Sequence, residues 1–374
     1  MYMQEEHFLV RETTRNFAEE RLWPTAAERD KTHAFPKKEL AEMAELGLLG
    51  LTTPPAYDGP GMDTLAQVLA TEEIAAGCGG TSTIVCIQAM VAAILLGHGN
   101  EDQKNKYLKP LARGEKIGVF ALTEPEAGSD AGALKTTATR EGDHYILNGS
   151  KQFITSGKNG DTAIVFALTD PEKGKKGMSA FIVEVGCEGY EVAALEDKMG
   201  QRCSEVAQLN FSNMKVPAEN RLGEEGEGYR IALSNLEGGR LSIAAQSLGM
   251  ARKALEEAIA YAKDRKTFGA ALIEHQTVAF KLADMATKLD AARLLTHRAA
   301  IMRHNGEKCL KEACMAKLMA SEVGEEICNE AMQILGGYGY VADFPLERLY
   351  RDVRVCKIYE GTSDIQKMII SRDL

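Results

Sequence analysis

Asp143-His144-Tyr145-Ile146-Leu147-Asn148-Gly149-Ser150-Lys151-Gln152-Phe153-Ile154-Thr155 is the stretch on which the reading of the fold turns. Asp143–Leu147 reads as a strand, Asn148-Gly149 is a strong hairpin dipeptide, and Gln152–Thr155 takes the strand up again. Strand and turn signals continue outward from about Gly118 to about Pro217. Asp161–Thr169 and Met178–Val185 are short apolar runs separated by a Pro/Gly/Lys turn, and Ala207-Gln208-Leu209-Asn210-Phe211 alternates with period two. The centre of the chain is therefore a β domain, a small barrel or sandwich.

Both flanks are helical. On the N-terminal side, His7–Arg21, Lys38–Leu49, Asp63–Ala76 and Thr83–Gly97 carry apolar residues at helical spacing, punctuated by Pro24, Pro36 and Pro54-Pro55. The last of these segments is apolar nearly all round, as a buried helix would be. On the C-terminal side three long stripes appear: Leu241–Ala262, Val278–Ala292 and Ala313–Ile334. With a terminal segment they suit an antiparallel four-helix bundle. The expected class is α+β, mostly α, with a helical domain at 1–117, a β domain at 118–222 and a bundle at 223–374.

The chain has 374 residues, enough to bury a large core without metal or disulfide staples. Its 44 Lys+Arg against 54 Asp+Glu give a net charge of −10, which argues against a nucleic-acid partner. No run reaches the length of a membrane span, and Met1-Tyr2-Met3-Gln4-Glu5-Glu6 lacks the features of a targeting segment, so a cytoplasmic protein is expected. The 8 cysteines form no CxxC pair and the 7 histidines no HxxH or HxxxH. A zinc site is disfavoured, and the cysteines read as small buried hydrophobes.

Two Gly-rich stretches, Gly223–Gly228 and Gly336-Gly337-Tyr338-Gly339, are candidates for a dinucleotide fingerprint. Neither follows a predicted strand, and Gly336-Gly337 reads instead as a helix C-cap. Three further segments are dense in Gly, Ser, Thr and carboxylate: Ala121–Asp130, Asn148–Gly157 and Tyr350–Gln366. Loops free of bulky side chains let a flat polar ligand approach the backbone, and Glu360 precedes Gly361-Thr362-Ser363 at the centre of the last one.

The helical–β–helical order and these segments resemble the acyl-CoA dehydrogenase family of flavoproteins over essentially the whole chain. Ala121–Ala133 is similar to that family's first signature and Gln333–Asp352 (QILGGYGYVADFPLERLYRD) to its second. Arg265-Lys266-Thr267-Phe268-Gly269 and Tyr359-Glu360-Gly361-Thr362 also stand where the family has them.

The resemblance implies FAD between the β domain and the bundle. Phe120, Leu122 and Thr123 match positions lining the flavin ring, while Gly128 and Ser129 match a backbone-close turn, with Ser129 shared between cofactor and thioester. Phe153 and Thr155 resemble an aromatic-x-Thr element against the flavin; without the resemblance Phe153 would read as strand core. Arg265, Phe268 and Gln276 match residues reaching the FAD of a neighbouring subunit, and Gln333, Ile334, Leu335, Gly336 and Gly337 the segment holding its ADP half. Thr362 and Asp364 are carried over to the same cofactor. Each site would then need two chains, and the family's usual assembly is a homotetramer, a dimer of dimers.

By the same resemblance Glu360 is the base that removes the α-proton of an acyl-CoA. Its backbone N–H and a ribityl hydroxyl would hold the thioester carbonyl, and flavin N5 would accept the β-hydride to leave a trans-2-enoyl-CoA. Some branched- and long-chain members place the base one residue before a recurring Arg; here Leu236-Glu237-Gly238-Gly239-Arg240 puts Gly239 there. Glu237 and Arg240 match positions near the pantetheine and adenine ends of CoA, and Tyr359 and Gly361 border the thioester. Gly239 resembles short-chain, butyryl-type members, with small branched and alicyclic acyl groups left open. The absence of a basic residue at Cys78–Thr83 disfavours a dicarboxylic substrate. Gln88 and Cys86 read either as pocket lining or as buried helix. The implied electron partner is an electron-transfer flavoprotein. The alternatives are an enoyl-CoA reductase running the reverse reaction, an oxygen-using oxidase, disfavoured by the chain's length, and a non-catalytic CoA-binding scaffold.

Overall fold

The computed structural model describes residues 3–374. The N-terminal part holds α1 (Glu5–Phe17), α2 (Trp23–Thr32), α3 (Lys37–Glu45), α4 (Thr64–Gly77) and α5 (Gly79–His98), then two short helices, α6 (Glu101–Gln103) and α7 (Lys109–Ala112). Asp63 caps α4 by accepting the Ala66 N–H at 2.7 Å.

Pro24 does not end a helix, contrary to its expected role. A π turn at Ala18–Leu22 passes the Trp23 N–H back to the Ala18 carbonyl and carries α1 directly into α2. A proline ring clashes with the carbonyl four residues before it, and the widened turn removes that clash. A second π turn, Lys104–Leu108, does the same ahead of Pro110 in α7.

Helix α5 starts at Gly79, ahead of the Thr83 at which its periodicity begins. By length and composition it could cross a membrane, but 78% of its apolar window is buried inside the protein. Met90, Val91, Ile94 and Leu95 pack against Ile164, Phe166 and Ile182 of the sheet, while Ile84 and Val85 face the first helices.

The β region forms one eight-stranded sheet: β1 (Gly118–Ala121), β2 (Thr137–Glu141), β3 (His144–Thr155), β4 (Thr162–Leu168), β5 (Met178–Glu184), β6 (Tyr190–Leu195), β7 (Val206–Pro217) and β8 (Arg221–Leu222). Its order is β6-β7-β3-β2-β4-β5-β8, with β1 parallel to β4. All of β4 is buried because both its faces are covered. Ala163, Val165 and Ala167 face the sheet's own core, and Ile164, Phe166 and Leu168 face α5.

Asn148-Gly149 is not the hairpin turn. The turn is Gly142-Asp143, between the paired residues Glu141 and His144. Asn148 and Gly149 lie inside β3, at a slip of its register with β7. Gly149 has φ 149°, and a Cβ there would stand 2.5 Å from Thr136 Oγ1. The pair makes a β-bulge, which shares with a hairpin the need for a residue without Cβ.

The C-terminal part opens with α8 (Gly228–Asp264) and continues through a small hairpin, β9 (Lys266–Thr267) and β10 (Ala270–Ala271). Then come α9 (Gln276–His304), α10 (Leu310–Leu335), α11 (Gly337–Tyr340), α12 (Leu346–Val353) and α13 (Ser363–Ser371). The three stripes are α8, α9 and α10; the terminal segment adds the short α12 and α13, both packed on α10. Leu65, Val68 and Leu69 of α4 share one core with Leu241, Leu248, Leu282 and Leu289. The N-terminal helices and the bundle are thus continuous in packing. Gly336 closes α10 at φ 59°, the cap role read from the sequence. Gly223–Gly228, by contrast, does follow a strand, β8, before α8 opens; β8 is antiparallel to β5, so no βαβ unit forms. All the cysteines are free, with Cys187 half-buried and the others buried.

Candidate active site

After α12 the chain makes one turn of 3₁₀ helix, Arg354–Lys357, and crosses to α13 through Ile358–Thr362. Two successive residues there are left-handed, Glu360 at φ 54° and Gly361 at φ 89°. Such a backbone is costly for a glutamate and persists only where its surroundings impose it. Gln366 Nε2 donates to the Glu360 carbonyl at 3.1 Å and to the Gly361 carbonyl at 2.8 Å. Lys317 Nζ donates to the Gly361 carbonyl at 2.7 Å, and Thr362 caps α13 by accepting the Ile365 N–H.

Glu360 Oε2 is buried with no hydrogen-bond partner. Burial pushes the carboxyl up to about 7, against the opposing pull of Arg240 and Lys317. The Glu360 N–H reaches no acceptor among the described residues. A Cβ at Gly239 would stand 2.5 Å from Glu360 Oε2 and 2.8 Å from Met90 Cε. The position at which some family members carry their base is thus in contact with the Glu360 carboxylate, so one side chain can occupy the place, and here it is Glu360.

Arg240 is 5% exposed, its Nε unpaired. Glu237 is half-buried and accepts from Arg303 Nη1 at 2.8 Å and from the Cys309 thiol at 3.2 Å. With Thr52, Asp63, Arg303 and His304 it lines a cleft of about 420 Å³. The Tyr359 hydroxyl donates to Gln246 Oε1, and Gln246 Nε2 donates to Ser82 and Thr83 at 2.7 Å each. That hydroxyl is spent inside the protein, and only the ring of Tyr359 is left to border a ligand. Gln88 is buried structure: its amide donates to the Leu111 and Lys116 carbonyls and its carbonyl accepts the Gly118 N–H. Cys86 lies close enough to Glu360 for the carboxylate, with burial, to push its thiol far up.

A second group of residues gathers at the exit of β3. A register slip between Lys151 and Ile154 turns Phe153 outward; at φ 58° and 63% exposure it is not a strand-core residue. Thr155 is half-buried beside it. The Gln152 N–H donates to the Thr123 carbonyl at 2.9 Å, joining this exit to the segment Phe120–Ser129. Leu122 is buried and Phe120 packs edge-on to Phe166. Gly128 and Ser129 are exposed, with nothing within 4 Å of where a Gly128 Cβ would be. An outward aromatic face beside open backbone fits a flat heteroaromatic ring such as a flavin.

Lys151, which the sequence reading passed over, underpins this surface. Fully buried, it donates to the Leu122 carbonyl at 3.1 Å and to Glu124 at 2.8 Å. Glu124 also accepts the Lys135 and Thr136 N–H groups. Lys151→Met leaves Glu124 buried beside an apolar chain. A loss of about 3 kcal/mol in stability is expected, as for other buried pairs stripped of one partner, with lower FAD retention. Thermal unfolding and the flavin absorbance of the purified protein check both.

The structure does not bring Arg265, Phe268, Gln276 or Gln333–Gly337 to Glu360. Lys317, which touches the Glu360 turn, and Leu335 are eighteen residues apart on α10, roughly 27 Å at 1.5 Å per residue. Leu335 is 4% exposed in the bundle core, whereas Gln333, Gly336, Gly337 and Gln276 are exposed and Ile334 half-buried. Arg265 lies 6.0 Å from the Tyr338 ring centroid, which brings the β9–β10 hairpin beside this segment. Phe268 is 100% exposed at φ 51° at the hairpin tip. Asp364 is exposed and Thr362 half-buried at the start of α13.

A carboxylate with a buried, unpaired oxygen in a left-handed turn, an unpaired N–H on the same residue and an open aromatic surface suit a flavin-dependent oxidoreductase working on acyl thioesters. The chain belongs to the acyl-CoA dehydrogenase family: the models of its N-terminal, middle and C-terminal domains match residues 4–115, 119–214 and 226–374. It is 46% identical to the short-chain specific acyl-CoA dehydrogenase of Clostridium acetobutylicum, over 98% of this chain and 97% of that one. It is 47% identical to the 3-(aryl)acrylate reductase of Clostridium sporogenes, over 100% of both. Among solved structures, butyryl-CoA dehydrogenase from Megasphaera elsdenii superposes with a TM-score of 0.98 at 41% identity, covering 100% of this chain and 99% of that one. A chain from the structure described as the electron transferring flavoprotein of Acidaminococcus fermentans gives 0.98 at 44%, covering 100% and 98%. The cofactor of this family is FAD.

Proposed function

We propose that this enzyme dehydrogenates a short-chain acyl-CoA between Cα and Cβ to the trans-2-enoyl-CoA, with Glu360 as the α-proton base. The observation that carries this reading is Glu360 Oε2, a buried and unpaired oxygen on a half-buried residue, in contact range of Gly239. Desolvation brings its basicity toward that of the weak carbon acid it must deprotonate. The unpaired Glu360 N–H donates to the thioester carbonyl and stabilises the charge that develops there. Phe120, Leu122, Thr123, Gly128, Ser129, Phe153 and Thr155 hold FAD, which supplies the hydride acceptor at the β-carbon. Arg240, Glu237, Ser129, Gly361 and the Tyr359 ring place the CoA thioester. Met90 close to Gly239 and Glu360 keeps the acyl end short.

Arg265, Phe268, Gln276 and Gln333–Gly337 are assigned to the FAD of a neighbouring subunit in a tetramer, and Thr362 and Asp364 to cofactor binding. The full exposure of Phe268 at a hairpin tip supports that assignment. Electrons pass to an electron-transfer flavoprotein, in a bacterial or archaeal cytoplasm, as a step of fatty-acid β-oxidation. A second reading, reduction of an enoyl or arylacryloyl thioester by the same residues, is favoured by the similarity to the Clostridium sporogenes reductase.

Anaerobic titration with butyryl-, hexanoyl-, isobutyryl-, isovaleryl-, glutaryl-, cyclohexanecarboxyl- and 3-phenylpropionyl-CoA tests both readings. Bleaching of the flavin band by butyryl-CoA ahead of the others is expected. A response to the phenylpropionyl thioester alone would favour the second reading, and a protein that takes up no FAD would overturn both.

A further inference from the structure

Lys317 stands in the α10 stripe among Ala313, Cys314, Ala316 and Ala320, all at 0% exposure, and is itself 0% exposed. A lysine in such surroundings has lost its water, and burial lowers its basicity to about 8. Its one hydrogen-bond acceptor among the described residues is the Gly361 carbonyl, at 2.7 Å. That carbonyl belongs to the second of the two left-handed residues that aim Glu360, and it also accepts from Gln366 Nε2 at 2.8 Å.

We propose that Lys317 is a positioning residue for Glu360: its buried ammonium pins the left-handed Glu360-Gly361 turn through the Gly361 carbonyl and stabilises the ionised carboxylate. The inference rests on the reading of Glu360 as the base. The charged groups that bear on this carboxylate are Arg240 on α8 and Lys317 on α10, and Cys86 on α5 lies near enough to be shifted by it; Cys314 on α10 and Cys356 face Lys317, and Tyr359 adjoins Cys356. Burial pushes Cys86, Cys356 and Tyr359 up, as it does Cys314 on the Lys317 side, so all four stay neutral near pH 7. Two cations therefore face one carboxylate. Of the two, Lys317 also holds the backbone of the turn, through the Gly361 carbonyl.

The geometry separates two contributions. The hydrogen bond fixes where the carboxylate stands, and the charge fixes the pH at which it can accept a proton. Lys317→Gln keeps a donor without the charge, Lys317→Arg keeps the charge, and Lys317→Met keeps neither.

The test uses the FAD-loaded enzyme and its three variants with butyryl-CoA. One readout is kcat/KM against pH; the other is exchange of the substrate α-protons into D2O by dithionite-reduced enzyme, followed by mass spectrometry. Reduced enzyme cannot take a hydride, so exchange reports the base alone. In Lys317→Met a fall of about 10- to 100-fold in exchange and kcat is expected from the displaced base. Its acid limb should move up by about one pH unit from the lost charge. Lys317→Arg should return the limb to its wild-type position, and Lys317→Gln should recover rate without returning the limb. If Lys317→Met does not fold, the other two carry the comparison. A neutral variant with the wild-type limb and exchange rate overturns the proposal. Wild-type enzyme that exchanges no α-proton, or Glu360→Gln that exchanges as fast as wild type, overturns the reading of Glu360 instead and takes this inference with it.

Discussion

Glu360→Gln is expected to bleach its flavin with butyryl-CoA about 10³-fold or more slowly than wild type, while still binding FAD and the thioester. Gln matches the shape of Glu and keeps the backbone N–H, so what is removed is the proton acceptor, and general-base catalysis is commonly worth 10²- to 10⁴-fold. In wild type the acid limb of kcat/KM should lie near the raised Glu360 value of about 7. Activity appears as the pH rises through it, because the carboxylate must be ionised to act.

The same substitution has an opposite effect on stability. The folded carboxyl titrates near 7 and the free group near 4.5. Between those values the folded state holds the extra proton, so wild-type stability falls as pH rises from 4.5 to 7 and levels off above. The loss is up to about 3 kcal/mol. Glu360→Gln removes that slope, and its melting temperature relative to wild type should be higher at pH 8 than at pH 5. Equal differences at both pH values would mean that the carboxylate is solvated.

Gly239→Ala should separate catalysis from stability in the other direction. The added methyl meets Glu360 Oε2 and Met90 Cε, both ends of flexible side chains, so α8 itself need not move. Alanine in a helix interior is worth about 1 kcal/mol over glycine, and the melting temperature should hold or rise slightly. The carboxylate, however, must leave its place, and a misplacement near 1 Å can cost about 100-fold in kcat. Wild-type turnover in Gly239→Ala would show that the base stands farther from α8 than the structure places it.

The helical–β–helical order was legible because period and burial are local properties of a segment. Misreadings arose where two structures share one local demand. Asn148-Gly149 satisfies a bulge as well as a hairpin, and Gly142-Asp143, a short turn signal, was the true corner. Pro24 looks like a helix end because a π turn leaves no mark in composition. Glu360 was found through its neighbours Gly361-Thr362 and the family likeness; by itself it is one carboxylate among many. Lys317 and Lys151 carried a signal that was passed over, a lysine inside an otherwise apolar pattern.

The sequence by itself determined the element types, the membership of the family and the choice of Glu360 as the candidate base, since these follow from spacing and from motifs contiguous in the chain. Only the tertiary structure decided that Glu360 Oε2 is buried and unpaired, that a side chain at position 239 would meet both it and Met90, and that Lys317 donates to the Gly361 carbonyl. It alone decided that Tyr359 spends its hydroxyl on Gln246 and that Phe153 faces outward. Basicity and aim depend on desolvation and on contacts between segments far apart in the chain, and neither is a property of any stretch of residues taken alone.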